Sequence, residues 1–375
     1  MKLFVRAILV LVAVLAICGE SVACTIAVVA PKASKEGGTI LWKNRDNTSY
    51  RTSIRYISGG KYAYTGVAPT HRPELGVLCG VNEVGFGIVN ALSSNLPITD
   101  AKGPKSRSVF MAEALANCRT VEEFEEFLRN YKRGGRFTTN IGVGDATGAA
   151  VIFEIWGDGY RCYDVEKMDR GYEVRSNCSF AGDMSRVSRT LRRYNAVREQ
   201  MAKKRKFSAE DWYDMSCSYY AVGKGDILRN DDVYEDHTSF VVPHRATVGS
   251  FVVVCGKNPR ILVSMGYPAA CPAIPVWVEA KEQIPECLSG ERSHNLGHRF
   301  IKSAYSKAGK RPNGKPKYVL NKALVRAALK VKTNLPFPEK MPKNIEKFNR
   351  KADKAFDKHE RKIEAIIARC GAASE

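Results

Sequence analysis

From residue 24 to residue 92 the chain is a succession of short apolar runs separated by turns, and this spacing constrains its fold more than any other feature. Thr25 to Ala30 and Thr39 to Lys43 flank Lys35-Glu36-Gly37-Gly38, Arg51 to Tyr64 doubles back at Gly59-Gly60, and Val77 to Cys79 and Phe86 to Leu92 flank Asn82-Glu83-Val84-Gly85. Runs this short, closed by glycine and asparagine turns, read as hairpins. Helical spacing follows at Ser108 to Asn117 and again from Thr120, where Glu123 three residues on completes a capping box. Strands are expected at Thr138 to Val143, Ala150 to Trp156 and Tyr172 to Phe180. Helices are expected at Ser185 to Lys203 and Ser208 to Tyr219, and further strands at Ala246 to Cys255, Ile261 to Val263 and Pro275 to Val278. Strands, then helices, then strands again is not a βαβ alternation. It implies an α+β fold of antiparallel sheets with helices packed outside them.

Residues 1–23 have the form of a secretory signal: Lys2 and Arg6 lead an apolar run from Ala7 to Ile17, and Ser21-Val22-Ala23 supplies small residues for cleavage. A cut after Ala23 gives Cys24 a free α-amine beside its thiol, with ordinary pKa values of about 7.7–8.0 and about 8.5. An amine that is partly neutral near pH 7 is able to take the thiol proton itself, so Cys24 is a candidate nucleophile that needs no histidine base. Two other readings of Cys24 compete. Lipidation would block the amine, but Glu20-Ser21-Val22 lacks the leucine-like residue usual three places upstream. The plainer alternative is a buried cysteine that begins a strand. Export permits disulfides, yet the eleven cysteines show no scaffold or zinc spacing.

Three further segments carry chemistry. Lys43-Asn44-Arg45-Asp46 closes the second strand; Gly80-Val81-Asn82-Glu83-Val84-Gly85 leads to Asn90; and Val174-Arg175-Ser176-Asn177 precedes Cys178-Ser179-Phe180. With Cys24-Thr25 they make a chain that resembles the N-terminal-nucleophile amide hydrolases, in the group joining choloylglycine (bile salt) hydrolases, penicillin V acylases and acyl-coenzyme A:6-aminopenicillanate acyltransferases. The resemblance runs to about Val278. It implies an αββα sandwich, two stacked antiparallel sheets between helical layers. It also implies that Asp46 orients the α-amine, that Lys43 (where the family has arginine) sits beside the thiol, and that Asn90 and Asn177 contribute to an oxyanion hole. Ser188-Arg189 resembles a Ser-Arg pair at a helix start, which makes Arg189 a supporting residue, although Arg186, Arg192 and Arg193 crowd the same helix. The implied activity is hydrolysis of linear, non-peptide amides through a cysteine thioester, with no cofactor and no metal. An acyltransferase using the same acyl-enzyme, or a binding protein without chemistry, is the alternative.

The division expected is a signal at 1–23, the catalytic domain at 24–332 and a Pro-led amphipathic helix within 333–375. In that helix Ile345, Phe348, Ala352, Phe356, Ile363 and Ile366 recur at helical spacing. The last fifth of the chain, from Ile301, carries 20 Lys and Arg against 7 Asp and Glu, out of a formal net charge of +20. An anionic surface is the partner this balance suggests besides a small amide substrate; an exported chain with no recognition motif excludes nucleic acid. His294 and His298 lie four apart, but the intervening Asn295-Leu296-Gly297 offers no general base for a metal site. The loops around 62–71 and 266–275 are the expected walls of the substrate pocket, and the expected location is periplasmic or extracellular.

Overall fold

The computed structural model describes residues 24–47, 51–70, 73–104, 106–187, 190–230, 233–235, 240–289, 291–312 and 314–371. The signal expected at 1–23 lies outside the described residues, and so does Arg189. In chain order the strands are β1 (Thr25–Val29), β2 (Ile40–Asp46), β3 (Thr52–Ile57), β4 (Tyr64–Pro69), β5 (Cys79–Asn82), β6 (Gly87–Leu92), β7 (Thr139–Gly144), β8 (Ala150–Trp156), β9 (Gly159–Asp164), β10 (Tyr172–Arg175), β11 (Tyr220–Ala221), β12 (Gly225–Asp226), β13 (Thr247–Val254), β14 (Arg260–Met265), β15 (Ile274–Trp277), β16 (Tyr305–Lys310) and β17 (Pro316–Leu320). The helices are α1 (Arg107–Asn117), α2 (Val121–Asn130), α3 (Thr190–Met201), α4 (Ala209–Ser216), α5 (Glu286–Ser289), α6 (Arg292–Ala304), α7 (Lys322–Leu329) and α8 (Ile345–Gly371).

Two antiparallel sheets dominate. One has six strands in the order β10-β1-β2-β13-β14-β15, and the other runs β3 to β9 in sequence order as a meander. Strand alternation decides which side chains face which layer. Ile26, Val28 and Leu41 share a buried cluster with Val67, Val81, Val89 and Ile152 of the meander, so these residues fill the space between the sheets. Their neighbours Ala27, Val29, Ile40 and Trp42 face the opposite way, onto Val197 and Met201 of α3 and Trp212 and Met215 of α4. On the outer face of the meander, Ile88, Ile141, Val143 and Phe153 pack on Phe110 and Leu115 of α1 and Phe124 and Leu128 of α2. The fold is therefore an αββα sandwich. Each large side chain buried in it contributes roughly 1.5–3 kcal/mol.

Local chemistry explains the boundaries. The Thr120 hydroxyl accepts from the Glu123 amide at 3.2 Å, but the Glu123 carboxylate reaches back to the Arg119 amide at 2.7 Å, one residue before the expected capping partner. Strand β9, absent from the sequence expectation, is a half-exposed edge with no alternating apolar pattern. The helix expected from Ser185 begins instead at Thr190, after a short 3₁₀ turn at Met184–Arg186 capped by Asp183. Beyond Glu279 the chain forms the β16–β17 hairpin and helices α5 to α8, none of which the sequence pattern separated except α8. The α8 stripe is buried on its own chain, with Ala352, Phe356 and Ile363 fully covered and the Phe348 ring 5.1 Å from Trp277. The ten described cysteines are all unpaired.

His294 is engaged by Thr52 of β3. Its Nε2 lies 2.8 Å from the Thr52 hydroxyl and 3.0 Å from the Thr52 carbonyl, and no metal-binding cluster occurs among the described residues. Burial, with Arg45 nearby, pushes its pKa down to about 3, and burial pushes His359 down to about 4. Both rings are neutral in the folded protein and protonate in the unfolded chain below about pH 6.5. The unfolded state then binds more protons, so stability falls as pH drops from about 6.5 toward the folded values, by about 1.4 kcal/mol per pH unit for each ring. Urea unfolding between pH 6.5 and pH 4.5 should show this slope, and H294Q combined with H359Q should flatten it.

Candidate active site

The position of Cys24 follows from strand register. Thr25 pairs with Asn44 of β2, and Ile26 pairs with Arg175 of β10. Continuing the β2 ladder one residue places Cys24 opposite Arg45, while β10 ends at Arg175, two residues before Asn177. Pleating then divides the chemistry between the two faces of the sheet. Cys24 belongs with Ile26 and Leu41 to the space between the sheets, and Lys43 points the same way. The Lys43 ammonium donates to the Leu78 carbonyl at 2.8 Å and to Asn90 Oδ1 at 2.6 Å, both on the opposite sheet. Asn44 and Asp46 face the helical layer instead. The Cys24 thiol lies 3.9 Å from the backbone oxygen of Asp46.

On that second face the Asp46 carboxylate is fully buried among donors. Its Oδ1 accepts from the Thr247 hydroxyl at 2.6 Å and from Asn44 Nδ2 at 2.9 Å. Its Oδ2 faces Arg193 Nη1 at 3.3 Å and His244 Nε2 at 3.1 Å. His244 Nδ1 accepts from the Ala246 amide at 3.2 Å, which in the neutral ring leaves the proton on Nε2, beside the carboxylate. That Nε2 is off the line of a hydrogen bond, so its contact with Asp46 is electrostatic. A register shift between Thr247 and Gly249 in β13 brings the Thr247 hydroxyl to Asp46.

Each candidate oxyanion residue has its amide oxygen held by a buried cation. Lys43 holds Asn90, whose Nδ2 donates to the Thr139 hydroxyl at 3.3 Å. Arg193 Nη2 holds Asn177 Oδ1 at 2.8 Å, and Asn177 Nδ2 donates to the Leu92 carbonyl at 2.9 Å. One N–H of each amide is thus engaged within the protein, and an oxyanion would have to use the second N–H. The loop that carries Asn177 is itself fixed. Asn140 Nδ2 donates to the Ser176 and Cys178 carbonyls, and the buried Glu154 carboxylate accepts from the Phe180 and Ala181 amides and from Arg175 Nε at 2.6 Å. This is why β10 stops at Arg175 rather than continuing to Phe180.

Burial lowers the pKa of Lys43, Arg45 and Arg193, and the nearby Cys24 and Asp46 partly oppose that shift in each. Cys79, also buried beside Lys43, is pushed up to about 12 by burial and stays a thiol. Burial likewise raises Cys118, Cys217 and Cys271 to about 12. Such thiols are poor nucleophiles at neutral pH.

The structure therefore gathers Cys24, Lys43, Asp46, Asn90 and Asn177 around the start of β1. Arg189 lies outside the described residues, and the arginine that reaches Asp46 and Asn177 is Arg193, on α3. The sequence motifs also passed over His244 and Thr247, whose only signal is that they immediately precede or open the β13 run. The expected pocket wall at 266–275 lines a different space: a cavity of about 430 Å³ bounded by Tyr213, Pro268, Pro272, Leu335 and His359, with Cys24 absent from its walls.

Solved structures to which this chain is similar include a variant of conjugated bile acid hydrolase from Clostridium perfringens, at 15% identity over 68% of this chain and 93% of that one, TM-score 0.43. They also include the N-acylethanolamine-hydrolyzing acid amidase ortholog of Caenorhabditis elegans, at 16% identity over 62% and 92%, TM-score 0.40. Penicillin V acylase from Agrobacterium tumefaciens matches at 15% identity over 68% and 86%, TM-score 0.42. No family model and no curated protein matches the chain. Two of the three names are those to which the sequence motifs pointed. At these identities and scores the likeness assigns no chemistry, which rests on the side chains described above.

Removing the charge of Asp46 leaves Arg193 buried against an uncharged amide. Asp46→Asn should lose about 3–5 kcal/mol of stability, the usual consequence of breaking one partner out of a buried ion pair. His244→Gln keeps a donor near Asp46 and should lose no more than about 1.5 kcal/mol. Urea unfolding of the two variants beside the parent chain measures both.

Proposed function

We propose that this protein is an exported hydrolase of linear, non-peptide amides that uses Cys24, freed at the chain's N-terminus, as its nucleophile. The carrying observation is the division of groups about the start of β1: the thiol and Lys43 on one face of the strand, the Asp46 carboxylate on the other. The α-nitrogen of Cys24 lies in the strand backbone between them. On this reading, once residues 1–23 are removed, Asp46 orients the amine while the side chain projects toward substrate.

The neutral amine takes the thiol proton, and Lys43 favours the thiolate by charge. The thiolate attacks the amide carbonyl, and the oxyanion is met by the second N–H groups of Asn90 and Asn177 and by a backbone amide. The protonated amine passes its proton to the leaving nitrogen as the C–N bond breaks, leaving a thioester. A water molecule, deprotonated by the same amine, then cleaves the thioester and restores the thiol. Support for this reading comes from the motif order in the sequence and from the buried clamps on both asparagines.

The test begins with the intact mass of the exported protein, which should correspond to a chain starting at an unmodified Cys24. The parent and Cys24→Ala chains are then assayed on penicillin V, glycocholate and an N-acylethanolamine. Turnover of at least one amide by the parent, lost at least about 1000-fold in Cys24→Ala, is the expected result. Turnover retained in Cys24→Ala, or a lipidated Cys24 in the active protein, would overturn the proposal.

A further inference from the structure

Helix α8 divides its charges. Its apolar stripe is buried against the rest of the chain, and each of its acidic residues is engaged. Glu346 pairs with Arg350 at 3.6 Å, and the Asp353 carboxylate accepts from the Cys287 amide at 3.0 Å. Asp357 and Glu360 meet Arg292 of α6 at 2.8 and 2.5 Å, and Glu364 meets Arg299 of α6 at 2.6 Å. The basic residues are elsewhere. Lys347, Lys351, Lys354, Lys358, Arg361 and Lys362 are all exposed, and none of them forms an ion pair among the described residues. At 3.6 residues per turn these six occupy a sector of about 100° over roughly 22 Å of helix, with no acid among them.

A helix kept soluble by its own charges interleaves acids with bases at i,i+4 spacing. Here Asp357, Glu360 and Glu364 are drawn to α6, Asp353 to α5 and Glu346 to Arg350, and the outer face is left with one sign of charge. Self-repulsion along such a face has a cost, which a partner of opposite sign removes.

We propose that the outer face of α8 docks the protein on an anionic lipid bilayer. Three observations favour a bilayer over other polyanions. The six basic side chains share one exposed sector of a single helix, so a plane meets them together. Mobile lipid headgroups gather under charges whose spacing is fixed by the helix. The face has no aromatic ring on which bases could stack and no large apolar side chain, which excludes single-stranded nucleic acid recognition and makes the contact electrostatic, without insertion. This inference does not depend on the catalytic reading.

Flotation with vesicles tests it. The exported protein is mixed with vesicles of phosphatidylcholine containing 30% phosphatidylglycerol, or of phosphatidylcholine alone, at about 0.05 and 0.5 M NaCl. Binding is expected only with the anionic vesicles and only at low salt. Replacing Lys347, Lys351, Lys354 and Lys358 together by Gln should weaken it at least about 100-fold, at roughly fivefold per side chain. The control K307Q with K310Q, on the exposed β16 strand, should bind as the parent does. Circular dichroism melting of both variants guards against unfolding. Equal flotation with both vesicle types, full binding by the folded fourfold variant, or capture by soluble heparin or duplex DNA but not by vesicles would overturn the proposal.

Discussion

The buried carboxylate of Asp46 is the constraint around which one end of the sandwich is organised. A carboxylate with no solvent contact is tolerable only where polar groups surround it, and this one draws them from three separate segments: Asn44 on its own strand, Thr247 with His244 beside it at the entrance to β13, and Arg193 on α3. Thr247 is brought within reach by the register shift in β13, and α3 must sit so that Arg193 spans Asp46 and Asn177 together. The outer helical layer is thereby tied to the central strands by charge as well as by the packing of Trp42 on Trp212.

A second buried carboxylate does the same for the loop after β10. Glu154 lies on the meander, where Tyr163 donates to it, yet its other partners are Arg175 and the amides of Phe180 and Ala181, which belong to the other sheet and its exit loop. The Arg175 guanidinium stacks between the rings of Phe180 and Tyr163, at 4.2 and 4.7 Å. Asn177 therefore stands on a loop pinned from beneath by charge and from the side by Asn140 and Asn95. A residue asked to hold a developing oxyanion needs such a support, because misplacement by about 1 Å costs roughly a hundredfold in rate.

The sequence revealed those parts of the fold whose signal is local. Strands β1 and β2, the hairpin around Asn82 and the capped start of α2 each announce themselves within ten residues. The Asn82 motif proves structural: its side chain donates to the Leu115 and Cys118 carbonyls and accepts from the Phe86 amide, fastening the turn to α1. Arg193 could not be chosen from an expected helix bearing five arginines, because the choice is made by helix phase relative to a strand 147 residues away. His244 sits among ordinary loop residues, and only the folded chain shows it beside Asp46. Edge strand β9 and the β16–β17 hairpin carry too little apolar alternation to register. Helix α8, with its long period, was legible; the division of its charges was not, because that depends on where α6 lies.

Lys43 shows how the surroundings of a site suit the side chain that occupies it. A guanidinium brings five N–H donors in a fixed fork, each needing an acceptor, and the buried guanidinium of Arg45 already stands beside Lys43 and Cys24. An ammonium brings three, and two are met by the Leu78 carbonyl and Asn90 Oδ1. The lysine so placed keeps the positive charge near the thiol and also decides which way the Asn90 amide is turned, since its oxygen must face the ammonium. Orientation of the asparagine is thus set by Lys43, while the positive charge at the thiol is shared by Lys43, Arg45 and Arg193.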